Sequence, residues 1–420
     1  MMGCTTSKVL PTQNGNENEK AKRHVSVLQS LLAFTRERDH REEPKKNSVW
    51  FSTKSKKTLP SGEMRFRDEK QQVKRGDTYK DKFDARVTSR YHIKALIGRG
   101  SFSRVVRAEH RTSCRPFAIK LMEVEAPQAR EVCAAELAVL RRVNHANVVR
   151  LVEVFQCPRR VYVVLELATG GELLDRVVSR GHYTERDAAR ALRMVLAGVG
   201  YLHSLGITHR DLKPENLLYY HPGVDSRLLV TDFGLATFGG AALSGSNQSA
   251  QSGDATGTNS TWSLRTTCGT PEYMAPEVVL RKPYSCAVDM WAVGVIAYIT
   301  LSGCMPFEDD TQTRLLRSIV GGKYSFRGNP WPSVSNPAKD FIRALLESDP
   351  GRRLRAEQAS RHPWILTTAD GSPMKNLHRS ISRNLRRRAS RNSSRCQSRT
   401  TNSAAEVCPI SKRPAAALAW

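Results

Sequence analysis

The chain has 420 residues, of which 40% are hydrophobic, and a formal net charge of +26, which suits a two-lobed enzyme with terminal extensions. No stretch approaches the roughly 18 consecutive apolar residues of a membrane span, and no basic-then-apolar leader opens the sequence, so we expect neither a transmembrane nor a secreted protein. The nine cysteines are dispersed without C-x-x-C pairs, which favours reduced thiols in the cytosol over disulfides or a zinc site.

The basic excess is densest at the two ends of the chain. Residues 1–90 contain 21 Lys and Arg against 12 Asp and Glu, and residues 365–420 contain 11 against 2. Such an excess fits nucleic acid, an anionic membrane or an acidic protein as partner, and it equally fits solvated, disordered tails. Charge alone does not choose between these classes.

Residues 1–90 are predicted to be a basic, mostly disordered segment that begins "MMGCTTSKVL". From Met2, this stretch matches the signal M-G-x-x-x-[ST] for myristoylation, here at Gly3. A start at Met1 would leave Met2 in front of Gly3, so the signal requires Met2 as the start. One myristoyl chain binds membranes only marginally, and palmitoylation of Cys4 would supply the second signal.

Beyond Tyr91, "YHIKALIGRG" and "SRVVRAEH" predict two strands around a glycine turn. Gly98 and Gly100 would let backbone N–H groups approach phosphates, although a plain glycine hairpin fits as well. The next strand, "FAIK", ends in Lys120, which needs a partner in an apolar setting unless it snorkels to solvent. Glu136, on a helical pattern, is the preferred partner, and Glu131 is the competing one.

The stretch "THRDLKPENLL" carries the strongest chemical signal. Phosphoryl transfer needs a carboxylate to orient the attacking hydroxyl, a cation for the moving phosphate and oxygen ligands for magnesium. Asp211, Lys213 and Asn216 are residues of those types. Asp232, after the strand-like run "RLLVTD", adds a second magnesium ligand.

Two later segments differ from the rest in composition. Residues 238–263 are rich in Gly, Ser and Asn, and the chain becomes rich in Arg and Ser beyond Trp364. In "MKNLHRSISRNLRRRAS", four apolar residues (Met374, Leu377, Ile381 and Leu385) predict one stripe on a basic helix. Such a helix suits calmodulin at residues 374–390, an anionic membrane, or packing on the protein itself.

The motifs above, with "ELATGGEL", "TTCGTPEY" and "PWPSVSN", resemble a eukaryotic protein kinase of the calmodulin-dependent kinase group. The similarity is closest to the protein serine kinase H family and extends to "MKNLHRSISRNL" in the C-terminal segment. It implies an α+β, bilobal kinase fold over residues 91–364. We expect a small β-rich N-lobe with one key helix (91–166), a large helical C-lobe (167–364), and disordered tails (1–90 and 365–420).

The resemblance also implies the cofactors ATP and Mg²⁺ and transfer to Ser or Thr. Asp211 would be the catalytic base, assisted by Lys213, and Asn216 and Asp232 would hold the metal. The residues expected to bind ATP are Ile97, Gly98, Arg99, Gly100, Ser101, Phe102, Ser103, Arg104, Val105, Ala118, Lys120, Glu136, Glu166, Ala168, Glu172 and Leu218. Ser103 replaces the third glycine of the usual loop, for which we expect tuned rather than lost activity.

Further implications of the resemblance concern substrates and regulation. Glu172 and Glu215 would receive substrate arginines, and Thr270 would lie near the substrate-binding loop. Thr266 would be phosphorylated in the activation segment and held by Arg210; its neighbour Thr267 is easily confused with it. By position, the basic tail helix would also suit a pseudosubstrate, and Ser390 a self-phosphorylation site.

The expected location is the cytoplasmic face of Golgi, endoplasmic reticulum or plasma membranes, with the nucleus as an alternative. Nucleic acid is disfavoured as a partner because the basic tail has no interleaved aromatic residues. The alternative function is a catalytically weak kinase-fold scaffold that binds calmodulin or membranes.

Overall fold

A five-stranded antiparallel sheet forms the first lobe of the protein. The computed structural model describes residues 83–100, 103–239, 264, 266, 268–367 and 374–403. The strands lie in the order β1-β2-β3-β5-β4, and a helix, α2, follows β3 along the chain. Their bounds are α1 (Ala85–Arg90), β1 (Tyr91–Arg99), β2 (Ser103–His110), β3 (Pro116–Glu123), α2 (Pro127–Leu140), β4 (Leu151–Gln156) and β5 (Arg160–Glu166).

The short helix α1 belongs to this lobe, although the sequence places it in the N-terminal segment. The side chain of Asp84 caps the helix by accepting a hydrogen bond from the Arg86 N–H. Val87 is fully buried in the core of the sheet, beside Tyr91 and Tyr162. The apolar residue at the centre of α1 therefore fixes the helix on the sheet.

The second lobe is helical and is built around one fully buried helix, α6, in which every residue from Val288 to Ser302 is buried. A helix that is hydrophobic on all sides is expected at the centre of a lobe. The remaining elements surround it. They are α3 (Leu173–Ser179), α4 (Glu185–Ser204), β6 (Ile207–Thr208), β7 (Leu217–Tyr219), β8 (Leu228–Val230), β9 (Thr237–Phe238), α5 (Pro276–Val279), α6 (Ala287–Ser302), α7 (Gln312–Gly321), α8 (Asn336–Leu345), α9 (Ala356–Ser360), α10 (Pro363–Thr367) and α11 (His378–Ser403).

The tail segment that the sequence predicts as a basic amphipathic helix is α11, and it packs on the C-lobe. Leu377 and Ile381 are buried in the main hydrophobic core, and Leu385 packs against it. The Leu377 N–H donates to the Tyr183 carbonyl over 2.7 Å, which fixes the start of the helix. Of the readings left open by the sequence, packing on the lobe is the one that the structure shows.

The bilobal α+β kinase fold expected from the sequence is confirmed. A helix with the length and apolar character needed to cross a membrane does not occur among the described residues.

Candidate active site

Lys120 and Glu136 form an ion pair between β3 and α2. The Nζ atom of Lys120 lies 2.6 Å from Oε1 of Glu136 and 3.1 Å from Oδ1 of Asp232. Glu136 is buried on the inner face of α2, whereas Glu131 is exposed on the same helix. The structure therefore selects Glu136 over Glu131 as the partner of the strand lysine.

Burial and ion pairing oppose one another in this cluster, and at Glu136 burial outweighs the Lys120 charge and raises the pKa of the carboxyl group. Burial is the largest influence on Lys120 and acts to lower its pKa, but the carboxylates of Glu136 and Asp232 outweigh it and raise that pKa. Partial desolvation opposes ionisation of Asp232, whose side chain is still half-exposed, yet the adjacent Lys120 ammonium holds the pKa of Asp232 below its usual range. Lys120 and Asp232 are consequently both charged at neutral pH.

Backbone pairing defines the described part of the glycine turn between β1 and β2. Gly98 pairs with Val105 across the strands, and the Gly100 N–H donates to the Ser103 carbonyl over 2.8 Å. A Cβ atom at Gly100 would lie 2.8 Å from Ser103 Oγ, so a larger residue there would require the Ser103 side chain to rotate away. Ser101 and Phe102, at the tip of the predicted ATP loop, lie outside the described residues.

The remaining predicted ATP residues lie around the connection between the lobes. Ala118 is buried on β3, Val105 and Leu218 are half-buried, and Ile97 is 50% exposed on β1. Arg99 pairs with Arg104 at the ends of β1 and β2. Ala168 is half-buried just after β5.

Glu166 has a structural partner for its side chain. Its Oε1 atom accepts from the Arg150 N–H over 2.9 Å, and its Oε2 atom forms an ion pair with Arg227. Both carboxylate oxygens are therefore engaged by partners within the protein. The backbone groups of Glu166 remain for contact with the nucleotide that the sequence predicts.

Four hydrogen bonds hold the Asp211 carboxylate, one of them from the Asn216 amide to its Oδ2 atom over 3.4 Å. Lys213 Nζ donates to its Oδ2 atom over 2.6 Å. Thr270 donates to its Oδ1 atom from the backbone N–H over 3.0 Å and from the hydroxyl over 2.8 Å. Lys213 also donates to the Thr270 hydroxyl over 3.0 Å. The carboxylate, the ammonium and the hydroxyl thus form one closed network.

The backbone of this loop is strained and is held by a residue to which the sequence analysis gave no such role. Arg210 has φ +67°, a conformation rare for a residue with a side chain. Asp289, on α6, accepts hydrogen bonds from the N–H groups of His209 and Arg210, each over 2.9 Å. The only sequence signal for this role was an acidic residue at the start of an otherwise apolar helix.

Asp289 is ionised despite its burial. Burial acts to raise its pKa, but a hydrogen bond from His203 Nε2 (2.9 Å) and the nearby His203 and His209 rings lower that pKa below its usual range. A buried carboxylate with several donors is stable only as part of such a network. The loop of residues 209–216, the candidate catalytic loop, is therefore fastened to α6, the central helix of the C-lobe.

Asn216 and Asp232 suit a divalent cation by their donor chemistry. The amide nitrogen of Asn216 donates to the Asp211 carbonyl over 2.9 Å, which leaves the amide oxygen as its ligand atom. Asp232 engages Lys120 through Oδ1, and its side chain is 51% exposed in the cleft. Carboxylate and amide oxygens are the ligands that Mg²⁺ prefers. The residues present therefore fit the metal expected from the sequence.

The described part of the activation segment is tied to the catalytic loop through Tyr284. The Tyr284 hydroxyl donates to the Thr266 carbonyl over 2.7 Å, and Arg210 donates to that hydroxyl over 3.3 Å. Arg210 also donates to the Leu235 carbonyl over 2.6 Å. Thr266 itself is exposed, and Thr267 lies outside the described residues.

A cluster of three acidic side chains (Glu172, Asp175 and Glu215) lies on the C-lobe side of the candidate site. Glu172, which is half-buried, forms a bridge to Leu218, and Glu215 is exposed on the catalytic loop. Burial is the main cause that raises the pKa of Glu172 to about 7, and the charges of Asp175 and Glu215 add to it. Three carboxylates at close range attract a cation.

A buried ion pair between Glu277 and Arg353 stabilises the C-lobe. Arg353 donates to Glu277 over 2.7 and 3.0 Å, and both side chains are almost fully buried. The guanidinium also lies over the Trp291 ring, 5.2 Å from its centroid.

The predicted acylation residues Gly3 and Cys4 lie outside the described residues.

A family model and three similar proteins agree with this geometry. The protein kinase domain model matches residues 91–365. A serine/threonine-protein kinase H1 homolog of Danio rerio is 53% identical over 389 residues, with 91% of this chain and 88% of the relative covered. The human serine/threonine-protein kinase H1 is 63% identical over 305 residues, with coverage of 73% and 68%. The human calcium/calmodulin-dependent protein kinase type 1B is 46% identical over 280 residues, with coverage of 66% and 76%.

Proposed function

This chain belongs to the protein kinase family and is a serine/threonine kinase, and we propose that Asp211 is the base of its phosphoryl transfer from ATP to substrate hydroxyls. The network of Asp211 with Lys213 and Thr270 is the observation that carries the proposal. It holds the carboxylate at the entrance of the cleft, where a substrate hydroxyl must arrive. A fixed carboxylate can orient that hydroxyl and accept its proton.

The chemistry follows from these positions. The substrate oxygen forms a bond to the γ-phosphorus of ATP, the bond from that phosphorus to the β,γ-bridging oxygen breaks, and ADP leaves. Asp211 takes the hydroxyl proton, and Lys213 supplies positive charge at the moving phosphate. Lys120, fixed by Glu136, would hold the α- and β-phosphates. Magnesium at Asn216 and Asp232 would neutralise charge on the β- and γ-phosphates.

A phosphate-transfer assay with a basic peptide tests this proposal. The variant Asp211→Asn keeps the shape of the side chain but cannot accept the proton, so we expect kcat to fall by at least about 10²-fold. Binding of a fluorescent ATP analogue should be unchanged and reports an intact cleft. Equal, low transfer by wild type and variant would instead favour a kinase-fold scaffold without catalysis.

For substrates, we propose peptides with an arginine three residues before the Ser or Thr. The charge of Glu215 is one of the causes that raise the pKa of Glu172, and a guanidinium between the two carboxylates would relieve their repulsion. The variant Glu215→Ala should remove the advantage of an Arg peptide over an Ala peptide. An unchanged preference would contradict the assignment.

For location, we propose a tether made by acylation at Gly3 and Cys4. The support is the match to the myristoylation signal from Met2, with a second acyl chain on the next residue. Intact-mass analysis of the protein from eukaryotic cells should show loss of both N-terminal methionines and the added acyl mass. A retained Met-Met terminus without acyl mass would end this proposal.

Calmodulin is proposed as a partner of residues 374–390, supported by the basic amphipathic pattern and by similarity to a calcium/calmodulin-dependent kinase. Because Leu377 and Ile381 are buried against the C-lobe, binding in the usual helix-in-groove mode requires release of the helix. We therefore expect weaker binding by the whole protein than by an isolated 374–390 peptide. Equal calcium-dependent affinities would contradict the requirement for release.

For activation, we propose phosphorylation at Thr266. The support is its exposure and its link to Arg210 through Tyr284, because a phosphate there could gain charge-assisted bonds from the guanidinium. Thr266→Ala should lower the activity of protein purified from eukaryotic cells, while the matched variant Thr267→Ala should not. The reverse pattern would assign the site to Thr267.

A further inference from the structure

Helix α11 turns a face composed mainly of arginines toward solvent. Arg379, Arg383, Arg386 and Arg387 are all exposed. At 3.6 residues per turn, these four positions fall within about 100° of the helix surface. Ile381, on the opposite side, is fully buried. The basic and apolar sides of the helix are thus separated by its packing.

The orientation of this face is fixed by contacts on the buried side. The amide of Asn384 donates to the Ser302 carbonyl over 2.8 Å, at the C-terminal end of α6. His378 hydrogen-bonds to the Val178 carbonyl over 3.1 Å. Together with buried Leu377 and Ile381, these contacts hold the helix from its first turn onward. The helix backbone is therefore fixed, and it presents the four arginines on one side of the C-lobe.

The four arginines carry positive charge that the described part of the protein leaves unpaired. Residues 374–403 contain no Asp or Glu. Among the described residues, ion pairs are absent at Arg379, Arg383, Arg386 and Arg387. Arg391, one turn further, lies 3.9 Å from Glu308. Uncompensated positive charge on one face attracts polyanions and is weakened by salt.

The chemistry of the helix narrows the class of polyanion. A partner that binds through an apolar groove needs the stripe that is buried against the C-lobe. Single-stranded nucleic acid binds through aromatic stacking, and residues 374–403 contain no Phe, Trp or Tyr. A surface of anionic headgroups requires neither feature, because it is recognised by clustered arginines alone.

We propose that the docked helix α11 binds anionic phospholipid headgroups through Arg379, Arg383, Arg386 and Arg387. This contact needs no acyl chain, so it is independent of Gly3 and Cys4. Ser390 is exposed one turn beyond Arg386, and its hydroxyl donates to the Arg386 carbonyl over 3.0 Å. A phosphate at Ser390 would place negative charge in this face and weaken the contact.

Vesicle sedimentation with the full chain made in bacteria, which lack the acyl transferase, tests the proposal. Wild type should bind phosphatidylcholine vesicles that contain about a third phosphatidylserine and should not bind phosphatidylcholine alone. Changing the four arginines to glutamine should lower the partition coefficient at least about tenfold. High salt should have the same effect.

A matched variant separates this face from the net charge. It carries Arg141→Gln, Arg193→Gln, Arg317→Gln and Arg352→Gln, four exposed positions scattered over the protein, and it should bind vesicles like wild type. Two half-variants, at 379 and 383 or at 386 and 387, repeat the comparison with a smaller change. Thermal unfolding and kinase activity should be unchanged in all of them.

Three results would overturn the proposal. The first is absence of a preference of wild type for phosphatidylserine. The second is equal loss of binding in the face variant and the scattered variant. The third is tighter binding to duplex RNA or polyglutamate than to vesicles at matched salt, which would assign the face to another class of partner. None of these results affects the test of Asp211 or of acylation.

Discussion

The carbonyl of Ile381 lies directly against the Cα of Gly303, at the point where α11 crosses the end of α6. Gly303 has φ +74°, and a Cβ atom there would overlap the Ile381 oxygen. Only glycine permits both the left-handed backbone and this close approach. One position in the C-lobe therefore controls the docking of the C-terminal helix.

We expect Gly303→Ala to release α11 from the C-lobe. Gly328 has the same φ of +74° with nothing within 4 Å of its virtual Cβ, so Gly328→Ala measures the backbone strain alone. The free energy of unfolding should fall by about 1–3 kcal/mol more in Gly303→Ala than in Gly328→Ala. Hydrogen exchange at residues 377–391 should accelerate in Gly303→Ala alone. If the two variants lose the same free energy of unfolding and show the same hydrogen exchange, the structure around Gly303 accommodates the added methyl group and α11 stays docked.

The pairing of Lys120 with Glu136 predicts a selective effect on catalysis. Glu136→Gln removes the charge that fixes Lys120, so kcat/KM for ATP should fall by at least about tenfold. Glu131→Gln, on the exposed side of the same helix, should leave it unchanged. Steady-state kinetics with one peptide and varied ATP decide the outcome. A comparable loss in both variants would point to helix α2 rather than to the ion pair.

The raised pKa of Glu172 predicts a pH dependence of substrate binding. Burial and neighbouring carboxylates raise this pKa to about 7 in the unliganded site. A substrate arginine binds the ionised form, so KM for an Arg peptide should increase as pH falls from 8 to 6, by about tenfold at most. KM for an Ala peptide should stay level, and Glu172→Gln should flatten the Arg profile. Parallel profiles for the two peptides would argue against Glu172.

The buried pair of Glu277 and Arg353 predicts a large effect on stability. Glu277→Gln leaves the Arg353 guanidinium buried without a counter-charge, which should cost about 3–5 kcal/mol of unfolding free energy. Glu357 and Arg361 form a pair at 2.8 Å whose side chains are 74% and 76% exposed. Glu357→Gln should therefore cost less than about 1 kcal/mol. Urea unfolding measures both, and similar losses would contradict the role of burial.

Local sequence was sufficient to predict which side chains meet at the candidate site because the predicted residues lie in short contiguous motifs. "HRDLKPEN" places Asp211, Lys213 and Asn216 within six residues, so one loop conformation brings them together. The glycine turn and the strand lysine were predicted for the same reason. What the motifs leave out is the support of that loop. Asp289 lies about eighty residues downstream, and its two bonds to the loop follow only from the packing of α6.

The sequence by itself determined the kinase fold, the residue types proposed for the site and the existence of a basic amphipathic tail helix, since these depend on residue type and short-range spacing. Only the tertiary structure decided between Glu136 and Glu131, because the choice depends on how α2 is rotated against β3. It also decided that the apolar side of α11 is buried within the same protein, because burial of an apolar stripe requires a complementary surface that the helix sequence does not reveal. Here that surface is the C-lobe around Tyr183 and Gly303.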